Sequence, residues 1–254
     1  MDLGDVVLLL VAGLAAGGVN ALAGGGSLIS FPALLATGLP PVNANVTNSI
    51  SVCPGYLASV YGSRADLVGQ RGRAYQLMAT TAVGTATGAV ILLLTPARAF
   101  ELVVPFLVLG ATAALAFQDR LRRVVGHPQD LSPRRQRVYL HLLAGLGAVY
   151  GGYFGAALGV VLVAVLAVVL DERMARISAL KNTLSVTIGL ITVVVFGLFG
   201  PVHWLAVLVL APATITGGYL GALGTRRIPS TTLRWIIVAY GTGVGVLLLV
   251  RAVA

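Results

Sequence analysis

Of the 254 residues, 57% are hydrophobic and only 10% charged, with a net charge of +9. Soluble domains carry about 25% charged residues, so the chain lacks the polar surface of a water-soluble fold, in keeping with a mean hydropathy of +0.95. The single Cys53 excludes an internal disulfide and a multi-cysteine metal site, and reads as a small buried apolar residue.

Apolar segments run over 5–22, 27–38, 43–62, 74–94, 99–118, 138–156, 159–170, 177–199, 203–224 and 232–251. A membrane-spanning helix takes about 20 such residues. A membrane β-barrel needs segments of about 10 residues that alternate in polarity, and runs such as 160–170 do not alternate. The sequence therefore predicts an all-α, polytopic membrane protein. The N-terminus is not expected to be a cleavable signal, because it opens with Asp2 and Asp5 and no Ala-x-Ala site precedes a soluble domain.

Two segments, 27–38 and 159–170, are too short to cross unaided, and each follows a glycine-rich stretch: Gly24-Gly25-Gly26 in one case, Gly155 to Gly159 in the other. A continuous helix from 5 to 38 would be about 50 Å long, against a bilayer core of about 30 Å. The chain is expected to break and reverse at these glycines, giving about eight full transmembrane helices plus two short half-helices.

Basic residues set the orientation. With both arms of each broken segment counted as passes, fifteen of the seventeen basic residues fall on one side: Arg64, Arg71, Arg73, the Arg120–Arg137 group, Arg173, Arg176, Lys181, Arg226, Arg227 and Arg234. Arg98 and Arg251 fall on the other. If each broken segment crossed once, Arg226 and Arg227 would face away from the 120–137 group. The charge asymmetry favours reversal, places the basic side in the cytoplasm of a plasma (inner) membrane protein and puts both termini outside. It also explains the net charge better than nucleic acid does.

The halves resemble each other. At an offset of 134, residues 17–25 lie over 151–159, and Asn48-Ser49-Ile50-Ser51-Val52 lies over Asn182-Thr183-Leu184-Ser185-Val186. At 129, Thr85-Ala86-Thr87-Gly88 lies over Thr214-Ile215-Thr216-Gly217. This predicts a first repeat over 1–119, a basic cytoplasmic linker over 120–137 and a second repeat over 138–254. Five passes per half make the repeats inverted, a plan that places substrate near the midplane at discontinuous helices.

The segment 17–32 followed by Asn45–Ser51, with its partner 151–159 followed by 181–185, resembles the TauE/SafE family of membrane permeases (sulfite exporter, or four-toluene-sulfonate-uptake, family). The string Tyr150-Gly151-Gly152-Tyr153-Phe154-Gly155 strengthens the likeness, which covers about 5–250. The resemblance implies a transporter of small, often sulfur-containing anions: sulfite, sulfoacetate, or related sulfonates and carboxylates. The second repeat departs from the pattern, since Ala156, Ala157 and Leu158 dilute the glycine run and Leu166 stands where Pro32 falls in the first.

An anion leaving water needs fixed donors, and helix N-terminal amides supply them. Candidate substrate-binding residues are Gly24, Gly25, Gly26 and Ser27 in the first break and Gly155 and Gly159 in the second. Asn48 and Ser49, with Asn182 and Thr183, offer side-chain donors. Asn20 sits one turn before the triple glycine and reads either as a site residue or as a side chain that bonds local backbone. Lys181 is either an attracting cation or a side chain that snorkels to the cytoplasmic face. The plain alternative for the hydroxyls and amides is helix–helix hydrogen bonding.

All eight acids lie at or near segment ends, so no mid-helix carboxylate is placed to relay a proton. No HExxH, Asp pair, GxSxG or GxxxxGK[ST] run is present, so neither an enzyme nor a nucleotide-driven motor is expected. No cofactor or metal is expected. The expected partners are the small anionic substrate and membrane lipid, with a homodimer left open. The competing readings are a carboxylate transporter and a structural subunit of a membrane complex.

Overall fold

A computed structural model describes residues 1–22, 24–117, 120, 132–224 and 230–253. Most of the expected linker, and Arg226 and Arg227, lie outside the described residues. The described chain forms ten α-helices and one 3-10 turn (Arg64–Leu67). In the first half these are α1 (Leu3–Leu22), α2 (Ser27–Ala36), α3 (Pro41–Ser63), α4 (Arg71–Leu94) and α5 (Ala97–Ala116). In the second they are α6 (Pro133–Tyr153), α7 (Leu158–Val169), α8 (Met174–Phe199), α9 (Trp204–Gly224) and α10 (Ser230–Val253). Helices α1, α4, α5, α8 and α10 are long and apolar enough to cross a membrane. Helices α3 and α6 have the length but carry more polar side chains: Asn43, Asn45 and Asn48 in α3, three arginines in α6.

Both expected breaks are present. Gly24 takes φ +79° and Gly155 φ +72°, a left-handed conformation that glycine enters without a Cβ clash. Ala157, which precedes α7, adopts φ +52°, and a side-chain-bearing residue holds this at a cost of about 1–2 kcal/mol. Helices α2 and α7 have 10 and 12 residues, roughly half to two-thirds of a bilayer core at 1.5 Å per residue.

Packing partners repeat between the halves. Helix α1 packs on α9 and α4 on α6, while α3 packs on α8 and α5 on α10. Exchanging each helix with its counterpart five places along leaves these pairs unchanged. Glycines set the closest approaches: a Cβ on Gly17 would lie 2.1 Å from the Thr214 carbonyl oxygen, and one on Gly152 would lie 2.2 Å from that of Thr85. Gly13 meets Leu210 and Ala213 while Gly17 meets Thr214 and Gly218, so α1 and α9 run parallel. Gly84 meets Gly145 and Gly88 meets Val149, so α4 and α6 run parallel too. Asn182 bonds to Ser59 and Ser63 while Gly189 meets Cys53, so α3 and α8 are antiparallel.

The basic connections meet at one end of the bundle. Arg73 pairs with Glu172 at 3.3 Å, and Arg176 reaches Glu172 at 2.7 Å and the Val68 carbonyl at 3.0 Å. Gln70 donates to the Arg176 carbonyl, and Gln136 caps the end of α7 by donating to the Val169 carbonyl at 2.8 Å. Partial burial pushes the Glu172 carboxyl up, but hydrogen bonds from Arg176 and Arg73, with their charges, outweigh it and hold the group below its ordinary value. Arg98 and Arg251 share a cavity at another place, with the end of α2 and the starts of α3 and α5.

Candidate functional site

The two breaks touch. An added Cβ on Gly24 would lie 2.8 Å from the Gly159 Cα, and one on Gly159 would lie 2.8 Å from the Gly24 Cα. Only glycine on both sides permits this approach. The breaks of the two halves are thus joined backbone to backbone.

Side chains hold each break. Asn20 Oδ1 accepts from the Gly26 amide at 2.8 Å, in a buried position. This ties the last turn of α1 to the first of α2 and satisfies one of the amides that a helix start leaves unpaired. Ser30 donates to Asn48 Oδ1 at 2.5 Å, fixing α2 against α3. Asn45 Nδ2 donates to the Tyr153 carbonyl at 2.9 Å and so binds α3 to the end of α6 in the other half. Asn45 is 1% exposed, and its Oδ1 has no partner among the described residues. In the second break the Tyr150 hydroxyl donates to the Ala156 carbonyl at 2.5 Å. Phe154 stacks edge-on against Phe31 of α2 with centroids 5.3 Å apart, and Phe100 of α5 completes the aromatic cluster.

A cavity of about 20 Å³ lies between the breaks, lined by Ser27, Asn48 and Ser49 from one half and by Phe154, Gly155 and Thr192 from the other. That is room for a water molecule and less than an oxyanion requires. Among the described residues, no carboxylate, lysine or arginine lines it. The backbone N–H groups of Ser27 and Gly159 have no acceptor among the described residues.

The sequence candidates divide into two groups. Gly24, Gly25, Gly26, Ser27, Asn48, Ser49, Gly155 and Gly159 come together at the breaks or the cavity between them, and Asn20 braces the first break. Asn182, Thr183 and Lys181 do not line this cavity. Asn182 donates to the Ser59 carbonyl and to Ser63 Oγ near the basic end. Thr183 lines a groove with Arg71 and Val60, and Lys181 is half-buried with no described residue paired to it. The symmetry between Asn48 and Asn182 fails because Ser30, the partner of Asn48, has Ala164 as its counterpart, which carries no hydroxyl.

Asn45, Ser30 and Tyr56 were not among those candidates. Asn45, Asn48, Ser49, Val52 and Tyr56 follow the i, i+3, i+4, i+7, i+11 spacing of one helix face, a signal present in the sequence. Nothing local to Ser30 or Tyr150 pointed to their partners.

Ten helices among the described residues, two of them short and meeting at glycine breaks around a small cavity, fit a multi-pass membrane transporter. The family model described as "Sulfite exporter TauE/SafE" matches residues 9–248, and the chain belongs to that family. It is 30% identical over 232 residues to the probable membrane transporter protein YfcA of Escherichia coli (strain K12), covering 88% of this chain and 80% of the relative. It is 29% identical over 243 residues to a probable membrane transporter protein of Haemophilus influenzae, covering 94% and 92%. To the probable membrane transporter protein ORF9 of Sinorhizobium sp. it is 26% identical over 156 residues, covering 59% and 56%. No solved structure matches the chain. The family and these relatives are transporters, and the chain is a transporter rather than an enzyme.

Proposed function

We propose that the chain moves a small sulfur-containing anion, such as sulfite, sulfoacetate or a related sulfonate, across the plasma membrane through the site at the two breaks. Residues 1–119 and 138–254 act as inverted repeats with eight full spans, and α2 and α7 are half-helices entering from opposite sides. The basic end faces the cytoplasm and both termini lie outside.

The observation that carries this reading is the backbone contact between Gly24 and Gly159 beside a cavity lined from both halves. Broken helices leave main-chain groups without helical partners, and at membrane depth these must face protein or a polar cavity. Two helix starts directed into one space supply amides and positive dipole ends, which suit an anion. Gly24 to Ser27, Asn48, Ser49, Gly155 and Gly159 form the site, while Asn20 holds the first break in place. Lys181, Asn182 and Thr183 belong to the approach from the basic side. The small cavity corresponds to a closed state, and solute enters when the halves part. The matched family description, which names a sulfite exporter, favours a sulfur oxyanion.

Flux of radiolabelled sulfite into proteoliposomes tests this. Saturable uptake, competed by sulfoacetate and not by short carboxylates, is expected. Competition by carboxylates alone would reassign the substrate class, and impermeability to the whole panel would contradict transport through this site.

A further inference from the structure

We propose that the cavity between the starts of α4 and α6 and the end of α7 binds a phosphate group, supplied by an anionic lipid headgroup or by phosphate free in solution. The cavity measures about 240 Å³ and is lined by Arg73, Gln76, Gln136, Arg137, His141 and Leu170, with Leu77 and Leu140. On this measure a single water needs about 10–15 Å³, so a phosphate fits with its first waters. None of its lining residues lines the cavity at the breaks, and the site does not depend on the identity of the transported solute.

The donors match phosphate chemistry. Arginine presents a planar fork of N–H groups that engages phosphate oxygens in pairs. No described residue forms an ion pair with Arg137. Arg73 pairs with Glu172 at 3.3 Å, but that carboxylate is shared with Arg176, which holds it more closely at 2.7 Å. One carboxylate therefore serves two guanidinium groups, and positive charge remains beside the cavity. Thr80 Oγ1 lies 2.6 Å from His141 Nδ1. When the threonine donates, the ring carries its proton on Nε2 and offers another donor. Gln136 is already engaged with the Val169 carbonyl at 2.8 Å, so it shapes the cavity wall. Among the described residues, no acid lines the cavity.

Its surroundings fit a lipid. Val138 and Leu142 on α6 are 58% and 54% exposed. These apolar side chains flank the basic end, where an acyl chain would lie while its headgroup reaches the arginines. Clustered arginines at the cytoplasmic membrane surface attract anionic headgroups in this way.

The test uses the full chain in phosphatidylcholine nanodiscs, with native mass spectrometry and thermal unfolding as readouts. Phosphatidylglycerol is titrated against phosphatidylcholine, and inorganic phosphate is added in a separate arm. Preferential retention of phosphatidylglycerol that millimolar phosphate does not displace assigns the site to lipid. Displacement by phosphate, with a stabilising shift from phosphate alone, assigns it to the free anion. In either case R137Q is expected to weaken binding by about tenfold or more, the loss of one charge-assisted contact. R137K should fall between R137Q and wild type, and R98Q, at the Arg251 cavity, should leave binding unchanged. R137K and a monodisperse elution profile guard against misfolding of R137Q. The proposal is overturned if phosphatidylglycerol binds no better than phosphatidylcholine and phosphate gives no shift, or if R137Q and R98Q behave alike.

Discussion

Gly24→Ala places a methyl group against the backbone of the other half. Two costs can be separated with three companion variants. At Gly24 the new Cβ must adopt φ +79° and also lies 2.8 Å from the Gly159 Cα. At Gly38 the angle is similar, φ +83°, but no described atom lies within 4 Å, so Gly38→Ala isolates the conformational cost of about 1–2 kcal/mol. At Gly159 the contact with the Gly24 Cα recurs at 2.8 Å without a positive φ, so Gly159→Ala isolates overpacking, about 1–3 kcal/mol. At Gly25 the nearest atom is a Leu115 methyl at 3.4 Å, and Gly25→Ala should be close to neutral. Gly24→Ala should then lose about 2–5 kcal/mol, the sum of the two effects. Thermal unfolding in detergent, read against wild type, orders the variants, and anion flux should fall with Gly24→Ala and Gly159→Ala but not with Gly38→Ala, which lies outside the site. If Gly24→Ala unfolded no earlier than Gly25→Ala, the two breaks would not touch as described.

Other predictions concern the bonds that hold the breaks and the basic end. Asn45→Ala removes the donor to the Tyr153 carbonyl and leaves that partly buried group unpaired; unfolding should show a loss of about 1–3 kcal/mol. Ser49→Ala removes only a bond to the Asn45 carbonyl within its own helix, and should cost much less. A double-mutant cycle on Ser30→Ala and Asn48→Ala should give a coupling of about 0.5–1.5 kcal/mol, and additive losses would mean that the hydrogen bond contributes nothing. Glu172 has a depressed carboxyl, so its stabilisation is complete above the ordinary value of 4.5 and is lost as pH falls through the lower folded value. Wild type should therefore exceed Glu172→Gln in stability at neutral pH and converge with it in acid, and a gap independent of pH would refute the ion-pair account.

The segments and their limits were legible because membrane solvation acts locally. Expected half-helices over 27–38 and 159–170 are observed as Ser27–Ala36 and Leu158–Val169. The second break falls slightly earlier than expected, at 154–157, because the chain turns at Gly155 and Ala157. The assembly of the site was less legible. For Asn20 the sequence allows a place at the site or a bond to local backbone, and its side-chain oxygen accepts from Gly26 one turn beyond the helix end. Asn182 matches Asn48 in register, yet the position corresponding to Ser30 is Ala164, so the match does not extend to its partner. Asn45 and Tyr153 are 108 residues apart, and no local pattern specifies such a pair. Glycine runs and gaps in hydropathy report where the chain breaks. Only three-dimensional packing decides which break meets which.

Opposed halves can be tested by side-specific labelling. In a Cys53→Ser background, single cysteines at Leu3, Ala65, Ala97 and Ala175, all exposed, are treated with a membrane-impermeant maleimide in oriented vesicles. Ala65→Cys and Ala175→Cys should react only from the cytoplasmic face, and Leu3→Cys and Ala97→Cys only from outside. Reaction of Leu3→Cys and Ala65→Cys from the same face would contradict the inverted arrangement of the two breaks.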